Sequence, residues 1–180
     1  MTFDENMTLA DAKALLRTLI HDGHECPLCT QYAKVYARQI NNAMARALIG
    51  LYKAGGADSY QHWPTVDGGR GGDKAKLVHW GLVSEENAQR ADGGRSGYWR
   101  ITKRGVAFLR GELAVPKYAD IYDGRLMGLH GDSITIRDAL GKKFDLRALL
   151  GDAAAPHLTV VEGLEAVEPE DLGMYAEDAA

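Results

Sequence analysis

Apolar positions recur at helical spacing three times in the first third of the chain. Leu9, Ala12, Leu16, Leu19 and Ile20 predict a helix over about 9–20. Thr8, with Asp11 three residues on, has the form of a capping box at its start. Leu28, Tyr32, Val35, Tyr36 and Ile40 give a second helical face, and Met44, Ala47, Leu48, Leu51 and Tyr52 a third. Asn41-Asn42 either separates these two or lies inside one long helix. Gly55-Gly56 ends the run, as glycine does past a helix C-terminus.

Residues 55–72 hold six glycines and a proline and read as loop, with Trp63 and Val66 tucked onto the core. A short helix is predicted over 73–80. Two strands follow, 82–86 and 98–102, joined by the polar, glycine-rich stretch AQRADGGRSG. Thr102 is placed to cap a further helix, KRGVAFLR, that ends at Gly111. Beyond it, KYADIYDGRLMGLHGDSITIRD reads as a three-strand meander with turns at Asp123-Gly124 and at His130-Gly131-Asp132. Ile134 and Ile136 alternate with Ser133, Thr135 and Arg137 as a half-buried strand should. Asp145 is positioned to cap LRALL, ended by Gly151, and His157–Val161 could add one strand. Tyr118, Tyr122 and Phe144 read as core and sheet-face residues.

The order helix, helix, strand, hairpin tip, strand, helix resembles the winged helix-turn-helix superfamily over about residues 41–111. Leu77 and Trp80 match the apolar pair of the recognition helix, and Gly81-Leu82-Val83 its exit into the first wing strand. Arg90 and Arg95 match a basic wing tip, and Thr102 with Gly105 the T-x-x-G at the next helix. The long glycine-rich loop departs from that pattern, standing where a clean second helix is expected. The whole chain is also similar to uncharacterised bacteriophage or prophage proteins, a likeness that implies no activity. The expected architecture is therefore α+β: a winged helix-turn-helix core with N-terminal helices and a small C-terminal antiparallel β meander. The segments are 1–40, 41–111, 112–150 and an acidic tail, 151–180. An isolated meander of this size is marginal, so it is expected to dock on the winged helix or to support a homodimer.

Charge sharpens this picture. Of 180 residues 46% are hydrophobic and 26% charged, as in an ordinary globular chain, and the net charge is −4. All 21 Lys and Arg lie in residues 1–150 with 17 of the 25 acids, so the body carries about +4 and the tail holds eight acids alone. From Arg70 to Arg110 nine basic residues face four acids. On an α-helical wheel Leu77 and Trp80 share one face, and Ala75, Lys76 and His79 the opposite one, small and cationic enough for a major groove. Lys76 and His79 are the candidates for groove contacts, and Arg70, Lys74, Arg90, Arg95 and Arg100 for phosphates. Gly72 is followed by Asp73-Lys74, not Lys-Ser/Thr, so the glycine-rich loop is not a P-loop.

The chain's two cysteines stand in HDGHECPLC. His21, His24, Cys26 and Cys29 make a candidate structural zinc site, cramped but of a sterically allowed form, that would pin the first helix to the second, with the distant His62 or His79 as alternative partners for the thiols. The plain alternative is two buried thiols at a helix start beside two surface histidines. Redox catalysis would want the pair after a strand in a βαβ unit, and no such pattern is present.

No basic leader precedes an apolar run and no apolar stretch reaches about 18 residues, so a cytoplasmic protein is expected, with no membrane partner. No paired carboxylates, nucleophile motif or cofactor loop stands out, so no enzymatic activity is expected. The expectation is duplex DNA binding, sequence-specific or general, in transcriptional or phage-related regulation. The alternative is an adaptor whose winged helix docks a host or phage protein, with an acidic tail that mimics or competes with nucleic acid.

Overall fold

A computed structural model describes residues 6–66, 72–87 and 97–151. They fall into two units, Met1–Gln39 with Tyr118–His130, and Ile40–Lys117 with Gly131–Ala180. Helices and antiparallel strands mix in an α+β architecture.

In the first unit, α1 (Leu9–Leu19) starts where Thr8 accepts the Asp11 N–H at 3.2 Å. Its face is thinly covered: only Ala12 of the helix is buried. Half-buried Leu16 packs, with Tyr122, on a small cluster of Ile20, Ala33 and Val35. The helix expected over 28–40 does not form. The segment instead makes β1 (His24–Glu25), β2 (Tyr32–Ala33) and β3 (Tyr36–Gln39). Its apolar residues are mostly β-branched or aromatic, which suits a pleated surface, and a run this short fits either period. Two hydrogen bonds decide between them. Cys26 N–H donates to Gln31 O at 2.8 Å, closing β1 on β2, and Val35 N–H donates to Ile20 O at 2.8 Å.

The partner of β3 is distant in sequence. Tyr36 lies opposite Ile121 and Gln39 opposite Tyr118 on β7 (Val115–Tyr122), and β8 (Arg125–Ile134) flanks β7 on its other side. The three-stranded sheet thus has order β3-β7-β8, and its third strand comes from the N-terminal segment, not from 133–137. Asp123-Gly124 makes the expected two-residue turn, with φ of 48° and 75°. The second expected turn is absent: β8 runs through His130-Gly131-Asp132, with Gly131 taking φ 89° inside the strand. Ile136 is no strand residue. It is fully buried and opens α4 (Ile136–Leu140), where the Asp138 carboxylate accepts the Thr135 N–H at 2.8 Å. That hydrogen bond holds the Asp138 carboxyl below its ordinary pKa.

The second unit is built on α2 (Asn42–Lys53). Asn41 is its N-cap, accepting the Met44 N–H at 3.1 Å, and Met44, Ala47, Leu48 and Leu51 are buried along it. Around α2 stand a 3₁₀ helix (Gly72–Trp80), α3 (Lys103–Arg110), α4 and α5 (Leu146–Leu150), the last capped by Asp145 as expected. Gln61–His62 forms β4, Val83–Glu85 β5 and Tyr98–Ile101 β6, in a second sheet of order β4-β6-β5. Trp63 and Val66 are buried, and Trp63 meets Trp99 edge to face at 5.2 Å. Trp80, Phe108, Leu48, Leu77 and Leu82 are completely enclosed. Residues 157–161, expected to add a strand, lie outside the described residues.

Candidate functional site

The segment from the 3₁₀ helix through β5 and β6 to α3 is fixed by one knot of hydrogen bonds. Thr102 ends β6 and begins α3. Its Oγ1 donates to Gly81 O at 2.6 Å and accepts the Gly105 N–H at 2.9 Å, while its own N–H donates to Leu82 O at 3.2 Å. Arg104 Nε donates to Trp80 O at 3.1 Å. Gly105 is required by proximity, because a Cβ there would lie 2.0 Å from Leu82 O. The Gly-Leu-Val and Thr-x-x-Gly pairs are thus two halves of one joint, and the last carbonyls of the 3₁₀ helix are satisfied by the first turn of α3.

The 3₁₀ helix itself changes the expected face. With three residues per turn, positions i and i+3 eclipse. Leu77 and Trp80 align inward, both wholly buried, with Trp80 Nε1 donating to Pro116 O at 2.7 Å. Lys76 and His79 align on a second ridge, whereas Ala75 falls in line with Val78, which is 40% exposed. Lys76 is paired with Asp73. His79 is half-buried, and burial, helped by the Lys76 charge, pushes its pKa below the ordinary histidine value. It therefore presents a neutral imidazole at pH 7 rather than a second cation.

Of the cations expected at phosphates, Lys74 is turned inward. Its ammonium lies 5.5 Å from the centre of the Trp63 ring and 3.5 Å from Trp63 O, and burial lowers its pKa. Arg100 is exposed on β6, with Nε donating to Ser84 Oγ at 3.3 Å and the guanidinium 5.0 Å from the Tyr60 ring centre. Arg70, Arg90 and Arg95 lie outside the described residues. Tyr60 and Arg104 went unpicked in the sequence. Nothing local announces Tyr60, but the Thr-x-x-Gly signature places Arg104 in the first turn of α3, facing back at the preceding helix.

The other chemistry-bearing segment is the Cys26–Thr30 turn between β1 and β2. Backbone N–H groups of Leu28 and Cys29, and the Cys29 thiol, hydrogen-bond to Cys26 Sγ and hold that thiol below its ordinary pKa. Thr30 N–H donates to Cys26 O at 2.9 Å, and Thr30 adopts φ 60°. His24 Nδ1 bonds its neighbour's carbonyl, Glu25 O, at 2.9 Å. Among the described residues, no three His, Cys, Asp or Glu side chains gather as a metal group, so His21 and His24 are not brought together with the two thiols as expected. Nor does the turn join two helices; it links two strands.

Two further features are minor. His130 Nε2 lies 3.1 Å from Asp120 Oδ1 and its ring stacks on Tyr118 at 5.3 Å, an exposed pair. A cleft of about 370 Å³ lies on α2, with Ile49, Val66 and Leu149 below Arg46 and Lys53. Lys53 Nζ already donates to Leu149 O at 3.2 Å across it. Among the described residues no helix is long and apolar enough to cross a membrane. No family model matches the chain, and no curated protein or solved structure matches it.

Proposed function

We propose that the second unit is a winged helix-turn-helix-like module that binds duplex DNA, and that the chain is a binding protein rather than an enzyme. The observation that carries this reading is the 3₁₀ helix. Leu77 and Trp80 anchor it at no exposure, and it leads through a fixed joint straight into an antiparallel hairpin. An element so anchored presents Lys76 and His79 as one rigid ridge. Lys76 would meet phosphate or a guanine edge, and neutral His79 would act as a hydrogen-bonding reader. Arg100, stacked on Tyr60, supplies an exposed cation from the hairpin, and Arg90 and Arg95 add charge in the connecting segment. β4 supports the reading too, since it pairs with the outer side of β6 and stiffens the hairpin into a sheet.

Fluorescence anisotropy with random-sequence duplex DNA tests it. Affinity should fall steeply between about 50 and 200 mM salt. Lys76→Ala with Arg100→Ala should weaken binding about tenfold or more and flatten the salt slope by roughly two phosphate contacts. Removing residues 151–180, with their eight acids, should strengthen it. A protein-docking reading is favoured by exposed Val78 (40%) and Tyr98 (42%) on the same module. It predicts no duplex affinity at low salt for either the full chain or residues 1–150.

A further inference from the structure

We propose that the cleft on α2 is the seat of the chain's own acidic C-terminal segment, residues 160–172, held by Arg46 and Lys53 over an apolar floor. The inference does not depend on the DNA reading.

Three observations carry it. The first is the make-up of the cleft. Small as it is, its space of about 370 Å³ is of pocket size. Buried Ile49 and Val66 line it with Leu149, and Arg46 and Lys53 stand exposed beside them. Both cations are held in place. Lys53 Nζ donates to Leu149 O at 3.2 Å, and the Arg46 guanidinium lies 5.4 Å from the centre of the Phe144 ring. A ligand that fits has apolar side chains flanked by negative charge.

The second observation is the charge next to the cleft. The Phe144 ring that Arg46 covers also lines a neighbouring hollow of about 500 Å³, together with Arg137, Lys142 and Arg147, all three exposed. The two acids in that hollow are turned to helix starts. Asp138 accepts the Thr135 N–H at 2.8 Å and Asp145 the Ala148 N–H at 2.7 Å. Among the described residues no ion pair engages Arg46, Lys53, Arg137, Lys142 or Arg147. Five cations thus share one region of the second unit without acidic partners.

The third is where the chain goes next. Leu149 lines the cleft, Leu150 is buried, and the described chain ends at Gly151. Residues 152–180 hold eight acids and no Lys or Arg. Within them the five acids from Glu162 to Asp171 are interleaved with Val161, Leu164 and Val167. That supplies charges for the cations and apolar side chains for the floor. The stretch from Gly151 to Val160 reaches at most about 30 Å, and a segment tethered so closely acts at an effective concentration of about mM. A phosphate backbone would meet the cations and leave the floor uncovered, so charge and apolarity together favour the tail over nucleic acid.

Zero-length carbodiimide cross-linking of the full-length chain at low salt, mapped by mass spectrometry, tests this. The expected map joins both Lys53 and Lys142 to acids between Glu162 and Asp171 within single chains. The yield should fall several-fold in 1 M salt, where the Debye length is about 3 Å. Arg46→Glu should also cut the Lys53 links several-fold. Links to Lys142 alone, which nearness in sequence explains, would overturn the proposal. So would links spread evenly over Lys13, Lys34, Lys103 and Lys117, a yield indifferent to salt, or links found only between chains, which would place the segment on a second copy. No links, with duplex DNA shielding Lys53 and Lys142 from acetylation, would overturn it too and assign the region to nucleic acid. The map of the unmutated chain decides the matter even if Arg46→Glu fails to fold.

Discussion

The two units hold themselves together by different means. In the second, eleven large side chains are sealed from solvent almost entirely, among them Trp80, Phe108, Leu77 and Ile136. Both α2 and α3 start on a side-chain cap, and the joint at Thr102 leaves the facing carbonyls satisfied. In the first, none of those side chains occurs, α1 buries one alanine, and β3 is exposed at all four positions. Apolar burial stabilises by roughly 25 cal/mol per Å², so the first unit has far less to set against chain entropy. The contrast teaches that the first unit rests on a small cluster around Ile20, Ala33 and Val35 and on backbone pairing, whereas the second rests on side-chain packing.

Perturbing the well-packed side should have the largest effect. Trp80→Ala is expected to cost about 4 kcal/mol, because it empties a large buried volume and leaves Pro116 O without its donor. Urea denaturation monitored by far-UV dichroism reads this directly, and a loss under about 1 kcal/mol would mean that the 3₁₀ helix is not anchored as described. Gly105→Ala comes next, at about 2–3 kcal/mol, since the new methyl meets the Leu82 carbonyl and either α3 or β5 must shift. An alanine variant as stable as the parent would contradict that close approach.

On the thin side the expected change has the opposite sign. Thr30→Gly relieves a left-handed β-branched residue and should stabilise the first unit by about 1 kcal/mol. Slower amide exchange at Cys26, Gln31 and Val35 is its signature, and faster exchange there would refute the strain. The smallest effect concerns pH. Because burial and Lys76 hold the folded pKa of His79 below its unfolded value of about 6.5, the unfolded chain takes up a proton first on acidification. The stabilising contribution of neutral His79 is therefore full above about pH 6.5 and is lost as pH falls from there toward the folded pKa. His79→Gln should flatten that part of the stability–pH curve, and an unaltered slope would assign it to other groups.

What the sequence disclosed divides by range, local features in both units being legible and long-range pairing not. Thr8, Asn41, Thr102 and Asp145 all lie where caps were expected or adjoin a predicted boundary, because a cap depends on three or four neighbouring residues. The β5–β6 hairpin and the Asp123-Gly124 turn were legible for the same reason. Residues 28–40 were not, since their strand character depends on Ile20, Ile121 and Tyr118, remote partners that no local period encodes. The ridge on the 3₁₀ helix was half legible. Leu77 and Trp80 point inward and Lys76 pairs with His79 on either helical geometry, but only three residues per turn takes Ala75 off that face and lines it up with Val78. The thiol pair stood out by composition, whereas the turn that carries it, closed by Thr30 N–H on Cys26 O with Thr30 at φ 60°, did not.

The Thr102 joint has a consequence for how this chain tolerates insertions. Below the connecting segment the hairpin is already closed by Val83 opposite Ile101, by Glu86 N–H on Tyr98 O at 2.9 Å, and by the Thr102 contacts. Inserting residues between 87 and 97 is therefore expected to cost closure entropy of about 0.6 kcal/mol for each doubling, with the Val83–Ile101 pairing and the Thr102 contacts kept. The same position would accept a reporter peptide, a place to attach a probe while the frame beneath keeps its hydrogen bonds.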